Sequence, residues 1–136
     1  MNTHRFAEAI SDALRPEAKH HNRCEALVLA AGIGDTNSME QLVERYKIPV
    51  NFVLPGERRT ALHAACIFSQ PACVKLLLNY GANPTIRDKR GKSPLDLSAE
   101  SALDLATDPC YRLLLEKITR VSTFIVLRAK NSALDL

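Results

Sequence analysis

Two stretches of this chain repeat one another at a separation of 33 residues, and that self-similarity constrains the fold more than any local propensity does. Thr60-Ala61-Leu62-His63-Ala64-Ala65 and Ser93-Pro94-Leu95-Asp96-Leu97-Ser98 each open with a hydroxyl residue able to cap a helix. A small residue or Pro follows at the first helical position. Each stretch then sets a Leu where the inward-facing residue of a short helix lies. Upstream, Leu29-Ala30-Ala31 matches Ala64-Ala65-Cys66 at an offset of 35. A second aliphatic run follows each match: Met39 to Val43, Val74 to Leu78, and Leu113 to Leu115. The period predicts helix, turn, helix, loop. One helix pair of this size cannot bury its apolar face alone, so about three must stack into an all-α solenoid.

The segments Thr60 to Cys66, Val74 to Asn83 and Asp88 to Leu95 resemble one ankyrin repeat running into the next. The family pattern is a T-P-L-H helix, a V-V-x-L-L-L helix, a G-A-D turn and a D-x-x-G-x-T-P restart. The match is closest over residues 60–97 and thins through 98–118. The resemblance implies three repeats with hairpin loops, at residues 24–54, 55–87 and 88–118. It makes Thr60, Leu62, His63, Gly81, Gly91, Ser93, Pro94 and Leu95 structural motif residues. Ala61 replaces the usual Pro, and Arg58 stands where the restart has Gly, which predicts an irregular turn before the second repeat. The first repeat ends Glu44-Arg45-Tyr46-Lys47-Ile48-Pro49 without the Gly-Ala turn. The third carries about four extra residues between Ser98 and Asp108.

Small residues at Ala30, Ala31, Ala65 and Cys66 suit close approach of the first helices, with the Leu76-Leu77-Leu78 and Leu113-Leu114-Leu115 triplets behind them. Burying each such Leu contributes about 1.5–3 kcal/mol. Phe6, Ile10, Ala13 and Leu14 fall at helical spacing before Pro16, so residues 1–23 hold an N-terminal capping helix. Ile118, Val121 and Ile125 make a similar stripe, assigning residues 119–136 to a C-terminal capping helix and tail, with a homo-oligomer contact as the alternative. The chain is expected to be a monomer.

An intracellular protein, cytoplasmic or nuclear, is the expectation. No apolar run approaches the length of a membrane span, and Met1-Asn2-Thr3-His4-Arg5 opens no signal peptide. Cys24, Cys66, Cys73 and Cys110 form no C-x-x-C pair and read as buried thiols in a reducing compartment, with no metal site. His63 and Cys66 lie three apart, the spacing of a nucleophile and its base. The resemblance instead implies that His63 hydrogen-bonds Thr60 and the neighbouring turn, and a buried thiol without a cationic helper stays inert. Gly32-Ile33-Gly34 lacks the rest of a phosphate loop and reads as the turn between two helices. Asp96 with Glu100, and Asp104 with Asp108, read as solvated faces. No enzyme, cofactor or small-molecule substrate is expected.

The net charge of +3 is unevenly placed. Arg58 and Arg59 precede the second repeat, and Arg87, Lys89, Arg90 and Lys92 precede the third. The resemblance puts these on neighbouring hairpin tips, where Glu57 and Asp88 leave +4 locally. It also turns Ile33, Ile67 and Phe68 toward the concave groove, an apolar patch beside the charge. Anchors ringed by charge are the usual composition of a binding hot spot. The expected function is therefore an adaptor, scaffold or inhibitor that binds an acidic protein surface. Inhibition of a kinase, as by ankyrin-type inhibitors of cyclin-dependent kinases, is the alternative. Nucleic-acid binding is a lesser one, because no aromatic platform adjoins the charges.

Overall fold

The computed structural model describes residues 3–101 and 107–120. Its elements are helices: α1 (Thr3–Ala13), α2 (His20–Ile33), α3 (Thr36–Glu40), α4 (Ala61–Ile67), α5 (Pro71–Asn79) and α6 (Pro94–Ser101). A seventh, α7, covers residues 109–120. The residue types at the helix starts explain their positions. Asp35 accepts the Ser38 N–H at 3.1 Å ahead of α3. Thr60 Oγ1 accepts the His63 N–H at 3.4 Å while His63 Nδ1 accepts the Thr60 N–H at 3.1 Å. Ser93 and Asp96 repeat this reciprocal cap ahead of α6, at 3.2 and 3.0 Å. Pro71 opens α5, where a missing N–H costs nothing.

Two of the predicted pairs, α2 with α3 and α4 with α5, are in contact, and α7 follows α6 in the chain. In the first row α2 packs on α4 and α4 on α6, while α3 meets α5 in the second. Ala30, Ala31, Ala65 and Cys66 are all buried, so the first helices meet through small side chains. Leu62, Leu77 and Leu114 fill the space between rows and are fully buried. Four leucines differ from expectation: Leu76, Leu95 and Leu113 are half-buried, and Leu115 is 42% exposed.

Helix α1 covers the free side of α2, burying Ile10 and Ala13. Its C-terminal end is held by Arg23 on α2, whose guanidinium donates to the carbonyls of Ala13 at 3.0 Å and Arg15 at 2.8 Å. The same guanidinium stacks 3.8 Å from the Tyr46 ring centre, and Tyr46 Oη donates to Leu14 O at 2.9 Å. Helix α2 starts at His20, inside the stretch 1–23. Of the C-terminal capping segment, 119–120 continue α7; Val121, Ile125 and residues up to 136 lie outside the described residues, as do 102–106 of the third repeat.

From the end of its first helix to its closing turn the first repeat is longer than the second, and the backbone shows where. Lys47 follows Gly34 by thirteen residues, whereas Gly81 follows Ser69 by twelve; all four have left-handed φ and mark the same repeat positions. The extra residue is absorbed by a π-helical turn, Gln41–Arg45, that continues α3. A second extra residue widens the following hairpin. Arg58 N–H reaches four residues back to Leu54 O, while Gly91 N–H reaches three back to Asp88 O.

Candidate partner-binding surface

The two hairpins that carry the basic residues are tied to each other. Leu54 and Arg59 form an antiparallel bridge, with Leu54 N–H donating to Arg59 O at 2.8 Å. Asp88 and Lys92 close the next turn at 2.9 Å. Lys89 N–H then donates to Glu57 O at 2.9 Å, joining the tips side by side.

Asp88 is the buried hub of this edge. One carboxylate oxygen accepts the N–H groups of Arg90 and Lys92, both at 2.9 Å. The other faces Arg59 Nε at 3.5 Å. Burial alone would raise its pKa, but the donated hydrogen bonds and the Arg59 charge outweigh that and hold it below the usual carboxylate range.

Half of the predicted basic cluster is engaged. Arg59 pairs with Asp88, Arg87 with Asp96 at 3.6 Å, and Lys92 with Glu100 at 2.6 Å. Asp96 and Glu100 are therefore not idle solvated carboxylates: α6 turns them back toward the tips. Asp96 is held below its ordinary pKa, first by the Ser93 N–H. Arg58, Lys89 and Arg90 are exposed and have no ion-pair partner among the described residues. The S-x-x-D pattern at Ser93 and Asp96 signals the cap, but nothing in sequence spacing announces the pairs to Arg87 and Lys92.

Beside the tips lies an apolar groove of about 210 Å³. Helix α1 contributes Phe6; α2 contributes Val28, Leu29 and Gly32; α4 contributes Ala64 and Ile67, followed by Phe68. The hairpin supplies Leu54, with Glu57 and Arg59 at the edge. Phe68 is 45% exposed, yet its ring also rests on α2: a Cβ at Gly32 would meet Phe68 Cδ2 at 3.2 Å. Gly32 is thus a seat for the ring and still helical; the turn belongs to Gly34, whose φ is 86°. Ile33 does not line the groove and packs half-buried against the core. Sequence reasoning missed Val28, Leu29, Leu54 and Ala64 as lining, and also Phe6. Helical spacing marks Phe6 as a capping residue, and only the packing of α1 on α2 brings it here.

The His63–Cys66 spacing carries no nucleophile. His63 is fully buried, with Nδ1 accepting from Thr60 and Nε2 3.0 Å from Lys92 O, so both ring nitrogens are occupied. Burial lowers its pKa against the raising effect of the Lys92 carbonyl and Asp88. Burial pushes the Cys66 thiol up to about 12, and Cys73 and Cys110 to about 11. A second Cys–His pair, Cys24 Sγ and His20 Nε2 at 3.4 Å, lies on α2, and burial raises Cys24 as well. Thiols protonated this firmly are poor nucleophiles. Among the described residues no cluster of His, Cys, Asp and Glu has the makings of a metal site.

A family model described as ankyrin repeats (3 copies) matches residues 7–88 and 27–124. The chain belongs to the ankyrin repeat family. Ankyrin repeats are protein-interaction modules. Among curated relatives, the E3 ubiquitin-protein ligase Ufd4 of Drosophila melanogaster is 41% identical over 71 residues, 52% of this chain and 2% of that protein. Human ankyrin repeat and SOCS box protein 6 is 38% identical over 92 residues, 67% of this chain and 21% of that protein. Human NF-kappa-B inhibitor alpha is 32% identical over 71 residues, 49% of this chain and 22% of that protein. This ankyrin chain spans less than a quarter of the length of each of the three, so the likeness is one of repeats. No helix among its described residues is long and apolar enough to cross a membrane.

Proposed function

We propose that this ankyrin chain is a non-enzymatic adaptor, scaffold or inhibitor that binds a protein with an acidic surface. The observation that carries the reading is the apolar groove around the exposed Phe68, bordered by hairpin tips on which Arg58, Lys89 and Arg90 pair with nothing among the described residues. Charge of this kind speeds encounter and selects partners, while the buried anchor supplies affinity. Relatives named as an inhibitor and as a SOCS box protein are in keeping with a binding role. The groove is also smaller than the sites of about 300–1,000 Å³ that hold drug-sized molecules, which favours a protein over a small substrate. Action in the cytoplasm or nucleus is part of the proposal.

The test is an affinity capture comparing the wild type with a Phe68→Ala, Arg90→Glu double variant. Both positions are exposed, so the variant should keep its far-UV circular dichroism. Specific partners should be lost by the double variant together. An unchanged set of captured proteins would remove this surface from the function.

A further inference from the structure

We infer that the groove beside Phe68 takes a single bulky apolar side chain from a partner segment whose flanks are acidic, a reading that rests on protein binding at this face. Size comes first. A volume of about 210 Å³ is too small for a packed helix face or a cofactor, and matches one large side chain or a little more. Chemistry comes second. Phe6, Val28, Leu29, Ile67 and Phe68 offer an entering group apolar contact. The polar members, Glu57 and Arg59, belong to the hairpin edge, and Arg59 is already held by Asp88. An aliphatic or aromatic anchor is therefore matched by the floor, and a polar one would lose its hydration there.

The edge decides what surrounds the anchor. Arg58 lies between Glu57 and Arg59 in the hairpin that lines the groove, and the Lys89 N–H is bonded to Glu57 O. Arg58 thus stands in the hairpin edge of the groove, with Lys89 and Arg90 on the tip bonded to it, and none of the three has an ion-pair partner among the described residues. Of the nearby acids, Asp88 is spent on Arg59 and two backbone N–H groups, Asp96 on Arg87 and Glu100 on Lys92; Glu57, on the groove edge, offsets one of the three cations and leaves two in excess. Carboxylates flanking the anchor would complete this cationic excess. The wall supplied by Phe6 makes α1 part of the site, so specificity is not the property of the repeats alone.

The probe is an array of twelve-residue peptides with Leu, Phe or Ala at the centre, set in glutamate, serine or lysine backgrounds. Binding to the whole chain is read by fluorescence anisotropy. Saturable binding is expected only for Leu or Phe centres in glutamate, at least tenfold weaker with Ala at the centre or serine flanks. Phe6→Ala and Phe68→Ala should each weaken it tenfold or more; Phe68→Ser is the arm that reads binding should Phe6→Ala loosen α1. Arg58→Glu with Arg90→Glu should erase the glutamate preference and leave the preference for a bulky centre.

Equal binding of the Ala-centred peptides overturns the inference, as does a preference for lysine flanks. Tighter binding of an oligonucleotide, or self-association in sedimentation that Phe68→Ser abolishes, overturns it as well. If no peptide binds while protein capture still depends on Phe68 and Arg90, the single-anchor inference falls and the protein-binding reading stands. Capture that ignores both residues removes the two together.

Discussion

Arg58, Lys47 and Ser69 hold φ angles of 58°, 56° and 51°, a region that residues with a Cβ usually avoid. Each has a glycine at the matching position of a neighbouring repeat: Gly91, Gly81 and Gly34, with φ of 78°, 89° and 86°. The stacking of the repeats therefore sets the backbone, and the residue accepts it. Glycine at position 91 was a sequence signal for this geometry; the substituted positions signalled only a departure from the pattern. Left-handed strain costs about 1–2 kcal/mol, and glycine gives back about 0.5–1 kcal/mol through its own entropy. Arg58→Gly is thus expected to raise stability by about 0.5–1 kcal/mol and the thermal midpoint by a few degrees. Thermal unfolding followed by circular dichroism checks it, and an unchanged or lower midpoint would show that no strain is stored there.

At the scale of elements, the hairpins and helices are latched through His63 and Asp88. His63 caps α4 through Thr60 and reaches the next hairpin at Lys92 O, while Asp88 ties that hairpin to Arg59. This latch predicts a pH dependence. An unfolded His titrates near pH 6.5, and burial lowers the folded value. The stability gained by burying neutral His63 is full above about pH 6.5 and is lost as pH falls through the lower folded pKa. Asp88 and Asp96 stay charged across that window because both are held below the ordinary carboxylate range. The urea midpoint should therefore fall more between pH 7.5 and pH 5.5 in the wild type than in His63→Gln. Equal falls in the two proteins would place the titrating group elsewhere. Thr60 was legible as a cap because capping is local, whereas its bond to His63 was implied by the family resemblance. The Lys92 end was legible only through the family resemblance, since it spans 29 residues.

For the whole molecule, a stack of so few repeats has little stability to lose before all of it goes. Leu62, on the middle first helix, is buried between rows. Leu62→Ala should cost about 2–5 kcal/mol. Because α4 packs against α2, α5 and α6, and α2 carries α1, the loss should spread through the stack. Hydrogen exchange in α1 and α5 is expected to accelerate together; faster exchange confined to α5 would mean that α1 folds apart from the repeats.

The sequence by itself determined the period, the helix starts at Thr60 and Ser93, and which face of each helix is apolar. Those depend on residues within a turn or two of one another, where helical spacing and capping act. Only the tertiary structure decided that Arg87 and Lys92 meet Asp96 and Glu100, that Phe6 joins Phe68 at one groove, and that the surplus residues go into a π-turn and a hairpin. Each of these follows from how one packed unit is aimed at the next, and a surface charge or a spare residue takes whatever place the packed core leaves it.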